Sequence, residues 1–543
     1  MAGDPSDATS VHAPAGMVAT ADQLASSAGL GMLRDGGTAV DAAVAAGAVL
    51  AVTSPHMCGM GGDLFALVHP PGEPVAALCA AGRAGSGADA LQLRVEGFEH
   101  MPPEGDIRVV TVPGCVDGWL DLHRRFGRLP LGQVLEPAIT YAAAGFPASP
   151  LLAATAPGII HLRGAHDFRD PSMAGGGRLQ PGTMIRRPGV AANLGAVVAS
   201  GRSGFYQGAF GEGLLQLGNG LFNRGDLARV QSEWVEPVQV KAWGHDLWAT
   251  PPPSQAYLTL AAAAVASEIG LPDDPNDPAW AHRLSEAARL VGLDRRDVLY
   301  EGADGPALLA SDRLGLRWAA FDEDKRSDFE PPPAAWRTVA PEPAADDTTA
   351  LCVVDRDRMA VSLIQSNAGG WGANIIEPNT GEFLHSRGIG FSLQAGHPAE
   401  YRPGRRPPHT LAPALVTTPD GAAKAVLGTM GGDTQPQILL QLLARVLSGS
   451  QGASAGEAVD APRWMLGDGR FSTWTGSGPD HLTLEERGAP LWQEGLEQRG
   501  HRVEVARTTP DHRFGHAHLV VLDDGMLEGA ADPRALIGAA AGY

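Results

Sequence analysis

The sequence predicts a mixed α and β protein, either two lobes or one large sandwich with many insertions. Three observations carry that expectation. The chain has 543 residues, too many for one small hydrophobic core. Hydrophobic residues make up 44% and charged residues 19%, the balance of a globular chain and not of a disordered one. Segments of helical spacing and segments of strand character follow one another along the chain. The 70 glycines and 43 prolines add many turns and long loops.

The elements follow in order. Residues 22–52, DQLASSAGLGMLRDGGTAVDAAVAAGAVLAV, form two helical pieces. Leu24, Leu30 and Leu33 keep helical spacing, and Gly36-Gly37 breaks it. The second piece is rich in alanine, so it can lie close against a sheet. SPHMCGMGGDLFALVH is a glycine-rich turn that enters a strand at Leu64, and PVAALCA is a second strand before Gly82-Arg83. Residues 131–145 and 256–270 are further helices, and DLWATPPPSQ, 246–255, is a strand that ends in a stiff proline turn. Residues 321–347, FDEDKRSDFEPPPAAWRTVAPEPAADD, lose all periodicity and read as an exposed linker. A strand-rich region follows. TALCVVD and AVSLIQS are joined at Arg356-Asp357-Arg358 as a hairpin. EFLHS, ALVTTPDGAAKAVLG and HAHLVVLDDGMLEGA add more strand and turn units. No internal repeat of fixed period is present.

Charge and cysteine usage exclude whole classes of function. A formal net charge of −20 repels a phosphate backbone, so no nucleic-acid partner is expected. Cys58, Cys79, Cys115 and Cys352 show no paired spacing, which speaks against a disulfide framework and for a reducing compartment. MAGDPSDATSVHAPAG has neither a basic nor an apolar leader region, so a cytoplasmic protein is expected. No apolar run nears the roughly 20 residues that span a bilayer, so no membrane partner is expected. No Gly-x-Ser-x-Gly elbow and no Walker loop occur. Gly29-Leu30-Gly31 lacks the third glycine of a dinucleotide site. His516 and His518 share one face of a strand near His512, but no acid or cysteine joins them, so they read as strand histidines and no metal is expected. No cofactor is implied.

Thr348 stands where the linker becomes a strand, in DDTTALCVVDRD. A threonine hydroxyl is a weak nucleophile without a base beside it. An N-terminal threonine carries its own base, because its α-amine has a pKa of about 8. By itself, a Thr-Thr pair at a strand start is equally an ordinary junction.

Longer motifs decide between the two readings. They are MVATADQLASSAGLGMLRDGGTAVDAAVAAGAVLAVTSP, VVTVPGCVDGWLDLHRRFGRLPLGQVLEPAITYAAAGF, ATPPPS, TTALCVVDRD, GRRPPHTLAPALV, GTMGGDTQPQ and EGAADPRALIGAAAGY. In this order and spacing the chain resembles the γ-glutamyltranspeptidase family of N-terminal-nucleophile (Ntn) hydrolases nearly end to end. The resemblance implies an α+β fold, a four-layer αββα sandwich. It also implies self-cleavage between Asp347 and Thr348, giving a large subunit, 1–347, and a small subunit, 348–543, that stay intertwined. Each subunit is then the other's partner. The sequence leaves a homo-oligomer open.

The family's roles carry over residue by residue. Thr348 matches the nucleophile and Thr349 the second threonine of the family's pair. Ser366 falls where a hydroxyl residue orients the nucleophile. Gly431 and Gly432 match the oxyanion glycines, and Arg83 matches the arginine that grips the substrate α-carboxylate. Other positions depart from the pattern. Ala368, Arg387 and Gly390 stand where transpeptidases carry an Asn and then a Gln and an Asp that hold the α-ammonium. His409-Thr410 replaces a Ser-Ser pair that binds the carboxylate. Asp433 is the one acid placed to take over the ammonium, or else a helix N-cap. The 391–407 loop is short, so no lid is expected, and hydrolysis should exceed transfer to amino acids.

Two activities are therefore expected of a small-molecule amide substrate. One is hydrolysis of γ-glutamyl amides such as glutathione. The other is hydrolysis of small carboxylate-bearing amides without an α-amine, of the oxamate or glutaryl kind, read by a positive pocket of Arg83 and Arg387. A third expectation is an uncut, non-catalytic metabolite-binding relative.

Overall fold

The computed structural model describes residues 10–102, 104–169, 178–330, 346–449, 452–469, 473–474, 478–506, 512–523 and 525–543. Two seven-stranded sheets form its centre. The first runs in the order Ala539–Gly542, Met17–Thr20, Asp346–Val354, Ala360–Gly369, Asp63–His69, Ala76–Ala80, Glu233–Val235. The second runs Val11–Ala13, Met526–Ala531, Ala517–Asp523, Ala423–Thr429, Ala414–Thr417, His245–Ala249, Val238–Ala242. Each sheet mixes strands from both sides of the Asp347–Thr348 bond, so neither half holds all the strands of either sheet.

The cores define four layers. Met17, Leu67, Cys352 and Val354 of the first sheet pack with Leu415, Val426, Val520 and Leu527 of the second, so the sheets lie face to face. The outer face of the first sheet, with Leu351, Val353, Val361 and Leu363, is covered by a helical layer that includes Gln23–Arg34 and Ala39–Thr53. Tyr257–Ile269, Pro278–Gly292 and Gln435–Leu447 cover the second sheet. This is the αββα sandwich expected above.

The two-piece helix divided at Gly36-Gly37 is present. Thr38 starts the second piece with a capping box, its hydroxyl taking the Asp41 N–H while the Asp41 carboxylate takes the Thr38 N–H. Every residue from Ala39 to Thr53 is buried, and its small side chains allow the close approach to the sheet. The expected helices appear as Leu131–Ala144 and Tyr257–Ile269, and the 356–358 hairpin joins two antiparallel strands. Most of the expected linker, residues 331–345, lies outside the described residues, as do the side chains of Asp346 and Asp347. Among the described residues no helix is long and apolar enough to cross a membrane.

Candidate active site

Thr348 sits in the strand Asp346–Val354, which runs through the Asp347–Thr348 bond. Side chains alternate across a strand. Cys352 and Val354 face the other sheet, so Thr348 turns to that side. Leu351 and Val353 face the helices, and Thr349 turns with them to lie beside Cys58. The two threonines thus occupy opposite faces, and only Thr348 opens toward the gap between the sheets.

The neighbouring strand bulges at this point. Asp347 pairs with Ala368 and Thr349 with Gln365, so Ser366 and Asn367 together stand opposite Thr348. Asn367 secures the bulge, its backbone N–H donating to Met57 O at 3.0 Å and its side-chain amide to Pro55 O at 3.1 Å. Thr348 Oγ donates to Ser366 Oγ at 2.9 Å, and the Ala368 N–H donates to the same oxygen at 2.8 Å. Ala368 has φ 75°, a left-handed conformation that costs an alanine about 1–2 kcal/mol. Ala368→Gly should therefore hold or raise the unfolding temperature, although glycine usually lowers it in a strand. A clear drop in the thermal midpoint would show that no strain is stored there.

The second sheet brings the glycine pair to this gap. A Cβ on Gly428 would meet Ala350 Cβ at 2.8 Å, so glycine is what allows the strand Ala423–Thr429 to pass so close. The chain then turns at Gly431 and Gly432, with φ 130° and 49°, and the Gly432–Thr434 turn packs against the Thr348 strand. Thr434 donates twice to Gly431 O, from its hydroxyl at 2.6 Å and its N–H at 2.8 Å. A peptide N–H points opposite to its C=O. Anchoring Gly431 O thus aims the Gly432 N–H away from Thr434. Among the described residues, the Gly431 and Gly432 N–H groups have no acceptor. Thr434→Val should keep the fold and lower kcat more than it raises KM, and an unchanged kcat would remove Thr434 from the account.

A cavity of about 310 Å³ is lined by Arg387, which reaches Ser366, and by Asp433, the residue after Gly432; Thr348, Ser366, Gly431 and Gly432 are not themselves among its lining residues. Arg387, Thr410 and Asp433 line it, with Arg295 and Arg296 from the short helix Arg295–Val298. Arg387 is buried; it donates to Thr410 Oγ1 at 3.0 Å and reaches Ser366 Oγ at 3.4 Å. Gly390 also lines the cavity, and Ser392, Leu393 and His397 of the short 391–407 segment form part of its wall. Burial pushes the Asp433 carboxyl above its ordinary range, and the guanidiniums of Arg295, Arg296 and Arg387 oppose that shift. Asp433 does not cap a helix: Arg295 Nη2 lies 3.0 Å from its Oδ1. Gln255, fully buried, ties the wall together. Its amide donates to Thr410 O at 3.0 Å and Gly432 O at 2.7 Å, and accepts from Arg295 Nε at 2.9 Å.

Two expected binding residues stand elsewhere. Arg83 is not among the residues that line this cavity; it pairs with Glu301, donates to Gly404 O at 3.0 Å and lies 3.9 Å from Glu233. His409 turns to Asp63. The Leu411 N–H donates to His409 Nδ1 at 3.3 Å, so the ring proton is on Nε2, which meets Asp63 Oδ2 at 3.1 Å. His385 Nδ1 lies 3.4 Å from the same oxygen. Asp63 thereby holds the chain one residue before Thr410 and two before Arg387. Burial pushes His409 down to about 3, so it stays neutral.

Other histidines share that fate. Burial pushes His56 and His516 down to about 3 and His501 and His518 to about 4. In the unfolded chain they titrate near about 6.5. Below that pH the unfolded state binds protons that the folded state refuses. Stability then falls by up to about 1.4 kcal/mol per pH unit for each histidine. Glu382, pushed up to about 7 by burial, acts in the opposite sense, as do Asp22, Asp117, Asp355 and Asp433, which burial also raises above their ordinary range. The thermal midpoint should drop between pH 7 and pH 5; a flat or rising profile would contradict this assignment.

Sequence comparison meets this geometry. A sequence model of the gamma-glutamyltranspeptidase family matches residues 25–543. The chain belongs to the γ-glutamyltranspeptidase family. Within the family it is similar to the oxamate amidohydrolase proenzyme of Klebsiella pneumoniae, 36% identical over 97% of this chain and 98% of that protein. It is 33% identical to the glutathione hydrolase-like YwrD proenzyme of Bacillus subtilis, over 95% and 97% of the two chains. The crystal structure of the cephalosporin acylase from Bacillus halodurans has a TM-score of 0.86 to this fold, at 30% identity, covering 100% and 98% of the chains. The fold is that of Ntn hydrolases.

Sequence reasoning missed Gln255, Arg295, Arg296 and Thr434. The signal for Gln255 was present, as the second residue after the triple proline, and that for Thr434 lay in GGDT. Arg295 and Arg296 sit in LDRRDV, which reads as any charged helix end.

Proposed function

We propose that the protein is a self-processing threonine amidohydrolase for small amides that carry a carboxylate beside the scissile carbonyl and no α-ammonium, of the oxamate kind. One observation carries the substrate. The Arg387 guanidinium stands no farther from Thr348 Oγ than two hydrogen bonds laid end to end through Ser366, of 2.9 and 3.4 Å. An attacked carbonyl lies about 3–3.5 Å from its nucleophile. A carboxylate bonded directly to that carbonyl then falls within reach of Arg387, which can take it with two parallel N–H donors. A γ-glutamyl group needs an acceptor for its ammonium instead, and Asp433, the acid closest to that task, is held by Arg295 at 3.0 Å.

The chemistry runs on one hydroxyl used twice. Thr348 Oγ attacks the Asp347 carbonyl, and the N→O acyl shift replaces the peptide bond with an ester. Water hydrolyses the ester, freeing the Thr348 amine and the Asp347 carboxylate. In turnover that amine takes the hydroxyl proton as Oγ attacks the substrate amide. The Gly431 and Gly432 N–H groups receive the oxyanion, each such donor contributing roughly 3 kcal/mol. The amine returns its proton to the leaving nitrogen, and water then releases the acyl group as a carboxylate. Ser366, touching both Thr348 and Arg387, links the nucleophile to the group that reads the substrate. The proenzyme names of the relatives agree with the processing step, and the oxamate amidohydrolase name with the substrate.

Rates on oxamate, glutaramate and γ-glutamyl-p-nitroanilide test the reading. Oxamate should exceed γ-glutamyl-p-nitroanilide in kcat/KM by about tenfold or more, matching one charge-assisted contact. Equal or better rates on the γ-glutamyl substrate would return the protein to the family's γ-glutamyl activity.

A further inference from the structure

We infer that Asp63 is a positioning residue of the substrate site, which holds Arg387 and Thr410 in place through His385 and His409. The inference rests on the reading above, in which Arg387 takes the substrate carboxylate.

Location is the first argument. Asp63 begins the strand Asp63–His69, and its register partner on the next strand is Ser366. Residues paired across neighbouring strands turn their side chains to the same face. Asp63 therefore shares a face with the hydroxyl that touches both Thr348 and Arg387. Leu67, four residues on, packs on that face between the sheets. Convergence is the second argument. The Asp63 carboxylate is buried, and its Oδ1 accepts the Gly82 N–H at 2.9 Å and the Gly114 N–H at 3.2 Å. Glycine permits both approaches, since a Cβ on Gly82 would strike Val112 O and one on Gly114 would strike Ala80 O. Oδ2 faces His409 Nε2 at 3.1 Å and His385 Nδ1 at 3.4 Å. Four nitrogens thus surround the roughly four acceptor sites of one carboxylate. Span is the third. Gly82 and Gly114 precede the Asp347–Thr348 bond and both histidines follow it, so one side chain joins the two future subunits. The two histidines are braced from behind. Thr111 Oγ1 lies 3.0 Å from His385 Nε2, and the Phe65 ring lies 4.6 Å from the His409 ring. Arg387 and Thr410, which meet at 3.0 Å, each stand within two residues of a histidine on Asp63.

Asp63→Asn keeps the size of the side chain and turns an acceptor into a donor. The Leu411 N–H fixes the His409 proton on Nε2, so an amide NH2 placed there meets another donor. The variant should raise KM for oxamate by about tenfold or more, and by more than it lowers kcat. In an Arg387→Gln background the same change should add no more than about twofold, because two residues that act through one contact share a single loss. His409→Leu removes the contact from the other side and should raise KM likewise, whereas His409→Gln, which still carries an N–H, should recover part of it. That pair carries the test if Asp63→Asn does not fold. KM does not depend on how much of a preparation is folded, so a merely structural loss does not mimic the result. An unchanged KM, or losses that multiply in the Arg387→Gln background, overturns this inference alone. Failure of the wild type on oxamate, or wild-type kcat/KM in Arg387→Gln, overturns the oxamate-type reading and this inference with it.

Discussion

Thr348→Ala leaves a single uncut chain and lowers amidase activity by at least about 10⁴-fold, the scale on which removal of an attacking group is felt. The two losses have one cause. The methyl group of alanine cannot attack the Asp347 carbonyl, so no ester forms and no α-amine is released. Nor can it attack a substrate. The fold should survive, because the change removes a few atoms from a strand whose ladder is formed by the backbone. Thr348→Ser separates chemistry from structure, since it keeps the hydroxyl and should still be cut. Denaturing gels read the cleavage and oxamate turnover reads the activity. A cleaved or active Thr348→Ala protein would remove Thr348 from both roles.

Arg387→Gln should cut kcat/KM for oxamate by about 10–100-fold, the factor set by a charge-assisted contact of roughly 1.5–3 kcal/mol. The same change removes a cation from beside the position of a γ-glutamyl ammonium, so activity on γ-glutamyl-p-nitroanilide should fall less or rise. Arg387→Lys should recover little, because an ammonium cannot reproduce the planar fork that meets a carboxylate on two oxygens. Equal losses on both substrates would mean that Arg387 acts only by holding Thr410 and Ser366 in place, through its contacts at 3.0 and 3.4 Å.

The layers of the fold were legible because they rest on local signals. Gly36-Gly37 breaks the helical spacing around it, and the turn Arg356-Asp357-Arg358 between TALCVVD and AVSLIQS marks a hairpin. The stacking of the layers came from the resemblance and not from periodicity, which says nothing about which sheet faces which. The site divided along the same line. Thr348, Ser366 and the glycine pair, expected from motif order, are carried by the chain's own strands and turns to one place between the sheets. Arg83 and His409 occupy motif positions too, but their side chains turn to Glu301 and Asp63. A motif places a backbone; the partner that claims a charged or aromatic side chain is decided by long-range packing. Gln255 illustrates the converse. Its amide joins segments more than 150 residues apart in the chain, and no local pattern records that.

N-terminal sequencing of an active, purified preparation tests the central claim most directly. The account predicts two chains, one of which begins TTALCVV at Thr348. Full activity in a preparation whose chains all begin elsewhere would contradict it, because the proposed base, the amine of Thr348, would never have been released.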